Sequence, residues 1–380
     1  MPMPPLGHVP AATPVAVLLG GPSAEHDVSI VSGTAISDAL RGTGYPVEQW
    51  LIDLAGGWWR LPADHSRNGR PPSLYDDPVA LGATGPHLAG DALDGLATRT
   101  VPPVVFIALH GPFGEDGTVQ ALCEAAGLAY TGSGVTASAI GMDKAVFKRL
   151  ARGLGLPVVD WREVRAARWS RDPESVLAEL EAFASGTGDA RLMVKPARLG
   201  SSVGMTLAHG PAERAAALDL AFRYDDLALV ERYLAGARDL EVAVIGNEPD
   251  ALDLYGPGEI LSGREFYDYA AKYTPGLSQS TLTAEVTPAE RAAILKLARD
   301  TYRAVGCEGF ARIDFLLAPG AIVVSEVNTI PGFTPISLFP TLPSAGGYDF
   351  AAVCARVVDL ALAREAGRVR RRLATSDLPR

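Results

Sequence analysis

Residues 310–337 read FARIDFLLAPGAIVVSEVNTIPGFTPIS, two apolar runs joined by a Pro-Gly step and followed by a proline-studded loop. Strand alternation in the first run puts Arg312 and Asp314 on one face and Ile313 and Phe315 on the other. With Ala318, Pro319 and Gly320 as a hairpin loop, Arg312 is expected opposite Glu326, with Asp314 and Asn328 on the same face. One sheet face then carries two carboxylates, an amide and a guanidinium, which is costly to bury unless the groups are paired. Oxygen ligands of this kind suit Mg²⁺ holding nucleotide phosphates, the preferred reading over a purely structural ion-pair network. In the loop that follows, Pro331 and Pro335 stiffen the chain and Gly332 permits close backbone approach, so that an N–H can be aimed at an oxyanion.

Upstream, residues 195–204, KPARLGSSVG, are a strand end that delivers Lys195 into a loop of small residues. Backbone N–H groups in such a loop approach anionic oxygens while the lysine adds a point charge. A surface hairpin with an incidental lysine is the plainer alternative. Near the start, an apolar strand at 15–19 passes through Gly20, Gly21 and Pro22 into a helix, with Glu25 at the junction. There a carboxylate either receives a substrate ammonium or simply complements the helix dipole.

The spacing around these stretches predicts an open α/β domain first: strands at 15–19, 104–109 and near 129–131, with helices after 28 and over 118–126. Residues 55–103, rich in Gly, Pro and Asp, read as loops and short strands without chemistry. A smaller α+β domain follows, with helices around 144–154 and 173–184 and strands at 191–196, 205–208 and 229–233. The last third holds strands at 240–245, 310–317 and 321–327, helices at 288–305 and 348–365, and a basic tail. The expected domains run over 14–131, 132–237 and 238–372, between a disordered start at 1–13 and a tail at 373–380.

Composition narrows the function. The chain has 380 residues, 48% of them hydrophobic, enough for two or three domains with proper cores. Its 34 basic and 44 acidic residues give a net charge of -10, which disfavours nucleic acid and anionic membranes as partners and points to a small molecule. Cys123, Cys307 and Cys354 stand far apart without a C-x-x-C pair, so neither a disulfide framework nor a zinc knuckle is expected, and a reducing cytoplasm fits. No stretch approaches a membrane span. Residues 132–137, GSGVTA, match a dinucleotide fingerprint but lie mid-chain, and a helix-entry turn is the preferred reading. No G-x-x-x-x-G-K-[ST] loop and no H-E-x-x-H pair occurs.

Seven pieces occur in one order: GGPSAEHDVSIVSG (20–33), ALHGPFGEDGTVQ (108–120), TGSGVTASAIGMDK (131–144), VKPARLGSSVG (194–204), FYDYAAKY (266–273), GFARIDF (309–315) and EVNTIPGFTPISLFP (326–340). Together they resemble the D-alanine:D-alanine ligases of the ATP-grasp fold, from Val15 to about Leu362. The resemblance implies a three-domain ATP-grasp architecture with an open α/β N-terminal domain, joining two D-alanines through a D-alanyl phosphate for peptidoglycan synthesis. It also implies ATP, two Mg²⁺ ions for which Mn²⁺ can substitute, a cytoplasmic location and a homodimer.

By position, Lys144 and Lys195 match the phosphate lysines, and Glu231, Leu234 and Asp239 match positions at the adenine edge and ribose. Phe266 and Leu316 would flank the base, and Lys272 would point to the γ-phosphate. Asp314, Glu326 and Asn328 match the metal ligands, and Arg312 with the Gly332 N–H the oxyanion stabiliser. Glu25 would bind the first ammonium in a set with Ser201 and Tyr273, while His110 and Ser337 match substrate-side positions. Lids are implied over 200–204 and 255–276. Arg232, Leu199 and Ala271 stand where relatives often differ, Asp239 replaces a usual glutamate, and Tyr273 favours D-alanine over D-lactate as second substrate.

Overall fold

Val15–Gly20 (β1) is buried along its whole length, and a strand covered on both faces belongs at the centre of a parallel sheet. The computed structural model, which describes residues 13–185, 189–262 and 278–369, places it there. β1 lies between Val47–Ile52 (β2) and Val104–Ile107 (β5), both parallel to it. Trp58–Arg60 (β3) and Thr84–His87 (β4) extend the sheet antiparallel beyond β2, and the edge strand β4 is exposed throughout. Helix His26–Gly42 (α1) packs on β1 through small residues; a Cβ on Gly33 would stand 2.5 Å from that of Leu19, so only glycine allows this approach. Ala89–Ala97 (α2), Thr118–Ala126 (α3), Val135–Met142 (α4) and Lys144–Gly153 (α5) follow.

The second sheet contains Trp161–Arg165 (β6), Leu192–Pro196 (β7), Thr206–Ala208 (β8) and Leu227–Arg232 (β9), all antiparallel in the order β6-β9-β7-β8. Ala166–Arg171 (α6), Pro173–Ala184 (α7) and Pro211–Ala221 (α8) accompany it. The third sheet, also antiparallel, contains Arg238–Ile245 (β10), Asp253–Ser262 (β11), Ser278–Thr281 (β12), Phe310–Ala318 (β13) and Ala321–Asn328 (β14), ordered β12-β11-β10-β13-β14. Pro288–Val305 (α9) lies against it, bounded by a Thr287/Glu290 capping box and by Gly306 at φ 76°, the start and stop expected of a stable helix. Leu338–Thr341 (α10) and Phe350–Val369 (α11) complete the described chain.

Three expectations change. The strand near 129–131 reduces to one parallel bridge, Val105 to Tyr130, because the chain turns off at Gly132, where φ is +84°. Residues 55–103 contain the short strands expected, β3 and β4, but also a helix, α2, whose Ala92, Leu93 and Leu96 are buried although Gly and Asp dilute the apolar pattern. The hairpin loop is two residues, Pro319 and Gly320, since Ala318 already pairs with Ala321. Among the described residues no helix is long and apolar enough to cross a membrane.

Candidate active site

The shorter loop moves the β13/β14 register by one residue, and a bulge between Asp314 and Phe315 moves it by one more. Asp314 therefore pairs with Glu326 and Arg312 with Asn328, correcting the expected opposition of Arg312 and Glu326. Two single shifts restore parity, so all four side chains still share a face. The burial of β14 records the extra residue: Val324 and Val327, three apart, both point into the core. Glu241 on β10 pairs with Asp314 from the other side, so three carboxylates stand in a row across neighbouring strands.

Cations answer this row. Arg312 grips Asp314 with its Nε and Nη2, each at 2.7 Å, and its Nε is 3.3 Å from Glu241. Burial alone would lower the Arg312 pKa, but the Asp314 and Glu241 charges hold it well above its ordinary value. Asn328 donates to Asp314 at 2.9 Å. Lys144, at the start of α5, donates to the Leu199 carbonyl at 2.8 Å and lies 3.4 Å from Glu326. Three carboxylates against these two cations leave an excess of hard oxygen donors, which fits a divalent ion. Among the described residues no set of three or more His, Cys, Asp or Glu is arranged to hold a metal by itself. The Asn328 amide and oxygens from a ligand would have to complete such a coordination.

These residues form one wall of a cavity of about 740 Å³ where the three sheets meet. The opposite wall comes from the second sheet. Lys195, at the end of β7, and Glu231, in β9, both line it, and Lys195 Nζ lies 2.8 Å from Glu231 Oε2. Burial would raise the Glu231 carboxyl, yet Lys148 and Lys195 together pull it down to about 2. Leu234, Asp239 and Leu316 line the same cavity, and Asp239 is the cross-strand neighbour of Leu316.

At the mouth stands Glu25, at the N-terminal end of α1. Ser201, from the small-residue loop after β7, donates its hydroxyl to Glu25 and thereby ties the second sheet to the first. Gly200 leaves room for this contact: a Cβ there would come within 2.9 Å of Glu25 Oε2 and push the carboxylate aside. Ser201 and Ser202 hold φ of 52° and 56°, a left-handed backbone that non-glycine residues seldom adopt and that recurs at ligand-binding loops. His110 is buried with Nδ1 3.1 Å from the Ile330 carbonyl and Nε2 3.0 Å from Ser32 Oγ. A carbonyl only accepts, so Nδ1 carries a proton. Burial would lower the His110 pKa, but Glu115 and Glu25 raise it overall. Gly332 and Ser337 line the far end, where the Ser337 hydroxyl lies 2.7 Å from that of Thr334.

Fifteen of the expected site residues thus surround one cavity: Glu25, His110, Lys144, Lys195, Ser201, Glu231, Leu234, Asp239, Arg312, Asp314, Leu316, Glu326, Asn328, Gly332 and Ser337. Phe266, Lys272 and Tyr273 lie outside the described residues. Sequence reasoning passed over Lys148, Glu115 and Glu241. The local signals are spacing alone, Lys148 one helical turn after Lys144 and Glu241 at an inward position of a predicted strand, and neither names a partner.

An antiparallel sheet bearing Lys195 and Glu231 facing an antiparallel sheet of carboxylates across one cavity fits an ATP-grasp enzyme, and solved structures of similar shape agree. The family described as "D-ala D-ala ligase N-terminus" matches residues 14–133, and "D-ala D-ala ligase C-terminus" matches 150–359. The D-alanine–D-alanine ligase of Heliobacterium modesticaldum is 40% identical over 96% of this chain and 98% of its own length. That of Kineococcus radiotolerans is 40% identical over 93% and 97%. Among solved structures, the D-alanine–D-alanine ligase from Coxiella burnetii has a TM-score of 0.77 at 30% identity, covering 95% of this chain and 97% of its own. The VanG D-Ala:D-Ser ligase from Enterococcus faecalis has a TM-score of 0.78 at 29% identity, covering 92% and 99%. The chain belongs to the D-alanine–D-alanine ligase family.

Proposed function

We propose that this protein joins two D-alanine molecules into D-alanyl-D-alanine at the expense of ATP, releasing ADP and phosphate, for peptidoglycan precursor synthesis. The observation that carries the reading is one cavity with Lys195 on one wall and Asp314 and Glu326 on the other, Lys144 lying 3.4 Å from Glu326 and Glu25 standing at the mouth. A carboxylate does not react with an amine at neutral pH because oxide would have to leave. An oxygen of the first D-alanine carboxylate therefore attacks the γ-phosphorus and ADP departs, giving an acyl phosphate. Lys144 and Lys195 reduce the repulsion between the two anions, and Glu25 holds the ammonium away from the reacting carboxylate. Asp314, Glu326 and Asn328 would hold two Mg²⁺, or Mn²⁺ in their place, which when bound supply further positive charge beside the phosphates. The second D-alanine, as free amine, attacks the acyl carbon and loses a proton. Arg312 and the Gly332 N–H receive the oxyanion, and phosphate leaves.

Leu234, Asp239, Glu231 and Leu316 are read as the nucleoside end of the site, with His110 and Ser337 on the substrate side. The proposed domains run over 14–131, 132–237 and 238–372, and a cytoplasmic homodimer is the proposed setting. A product assay with ATP, Mg²⁺ and a panel of D- and L-amino acids tests the reading; no dipeptide from D-alanine would refute it. The similarity to a D-Ala:D-Ser ligase makes D-serine, with D-lactate, the competitor to include as second substrate. A mixed product formed in preference to the dipeptide would replace D-alanine in that role.

A further inference from the structure

Lys148 is exposed to only 1%, against 6% for Lys195 and 8% for Lys144. It lies one turn after Lys144 on α5, so a single helix sends one lysine into the cavity and another behind its wall. Its Nζ is 2.8 Å from Glu231 Oε1 and 3.2 Å from the Val159 carbonyl, and sits 5.5 Å from the centre of the Trp161 ring. Lys195 takes the other oxygen, Oε2, also at 2.8 Å. One buried carboxylate thus serves two ammonium groups, one per oxygen.

Two buried lysines on one glutamate are hard to explain as packing. Apolar side chains of similar volume fill such a space at equal or lower cost. The asymmetry of the pair offers a reason. Lys195 and Glu231 line the cavity, whereas Lys148 is shut behind them. Were Lys195 the sole partner of Glu231, drawing its charge toward a phosphate would strand a carboxylate that is only 5% exposed. Nucleotide binding would then carry the penalty of an unpaired buried charge. We propose that Lys148 is a positioning residue for nucleotide binding: it stays on Glu231 and keeps that carboxylate fixed while Lys195 turns to a phosphate. The inference rests on the nucleotide reading of Lys195 and Glu231 given above.

The test uses the full chain as Lys148→Met, Glu231→Gln and the double variant, with thermal melts to check folding. ATP affinity is measured by direct titration without amino acids, and KM for D-alanine separately. Lys148→Met weakens ATP by about tenfold or more, while KM for D-alanine stays within about twofold. The double variant binds ATP more tightly than Lys148→Met alone, because no carboxylate remains to be stranded. It also keeps the test open if the single variant folds poorly. Unchanged ATP affinity in Lys148→Met, or losses that simply add in the double variant, overturn the proposal. Native protein that binds ATP but forms no dipeptide overturns the ligase reading alone; native protein that binds no ATP overturns both.

Discussion

Glu326 faces Asp314 directly across two strands, and like charges so placed destabilise a sheet unless something is gained by them. Glu326→Gln keeps the shape and removes one of the two charges, which makes it a clean probe. Turnover should fall by about 10²–10³, while the melting temperature holds or rises slightly as repulsion is relieved. Phosphate release and a thermal melt on the same preparation check both halves, and near-native turnover would remove Glu326 from the metal set. This residue was legible early because period-2 alternation shows which side chains share a face. Lys148 was not, because its meaning comes from Glu231, on a different element, and a lone helical lysine reads as surface. Glu241 escaped for a similar reason: its partner Arg312 sits on the next strand, and no local pattern announces the pairing.

At the scale of elements, faces were easier to read than registers. Asp314, Glu326 and Asn328 were placed on one face although the hairpin loop was taken one residue too long and the bulge was not foreseen. The bulge cannot be read from VVSEVN, because any of these residues can take an extended conformation, and the choice is made by what the neighbouring strand and core accept. The helix Pro288–Val305 declared both ends in the sequence, whereas α2 was hidden among glycines and aspartates that usually mark loops. One inter-element tie joins α11 to the segment before α4. Arg364 on α11 donates to the carbonyls of Gly132 and Tyr130 and lies 4.1 Å from the Tyr130 ring centre, with 7% exposure. It thereby closes off the short extended segment that failed to become a third predicted strand. Arg364→Met leaves two buried carbonyls without these donors and should cost about 2–4 kcal/mol. A urea titration should show a lower midpoint, with Arg364→Lys, which reaches fewer acceptors, falling between the two.

Across the whole molecule, the cores show how the walls of the site are joined. One cluster merges Val15, Val17 and Phe106 of the first sheet with Phe310, Phe333, Phe339 and the inner face of α11, so the first and third sheets share an interior. The second sheet has an interior of its own, built from Val164, Val176, Leu192, Val230 and their neighbours. Its other face meets α5 through Ala145, Trp161, Leu227 and Leu229, and Ser201 with Glu25 forms a further tie to the first sheet. The cysteines report on how the first and third sheets open. Cys123 lies in the cluster on the other face of the first sheet, Cys307 in the cluster under the third sheet, and Cys354 in the shared cluster. The second sheet's cluster contains none. All three thiols are buried, and burial raises Cys123 and Cys307 to about 12 and Cys354 well above its ordinary value, so little thiolate forms at pH 8. Native protein should therefore resist a thiol reagent at that pH, with or without ATP. Through a urea gradient Cys123 and Cys354 should become reactive at the same midpoint, because alternate residues of β5 pack into both clusters, Val105 and Ile107 with Cys123 and Val104 and Phe106 with Cys354. If Cys123 labels well before Cys354, the outer face of the first sheet opens by itself, and the first and third sheets do not unfold as one body.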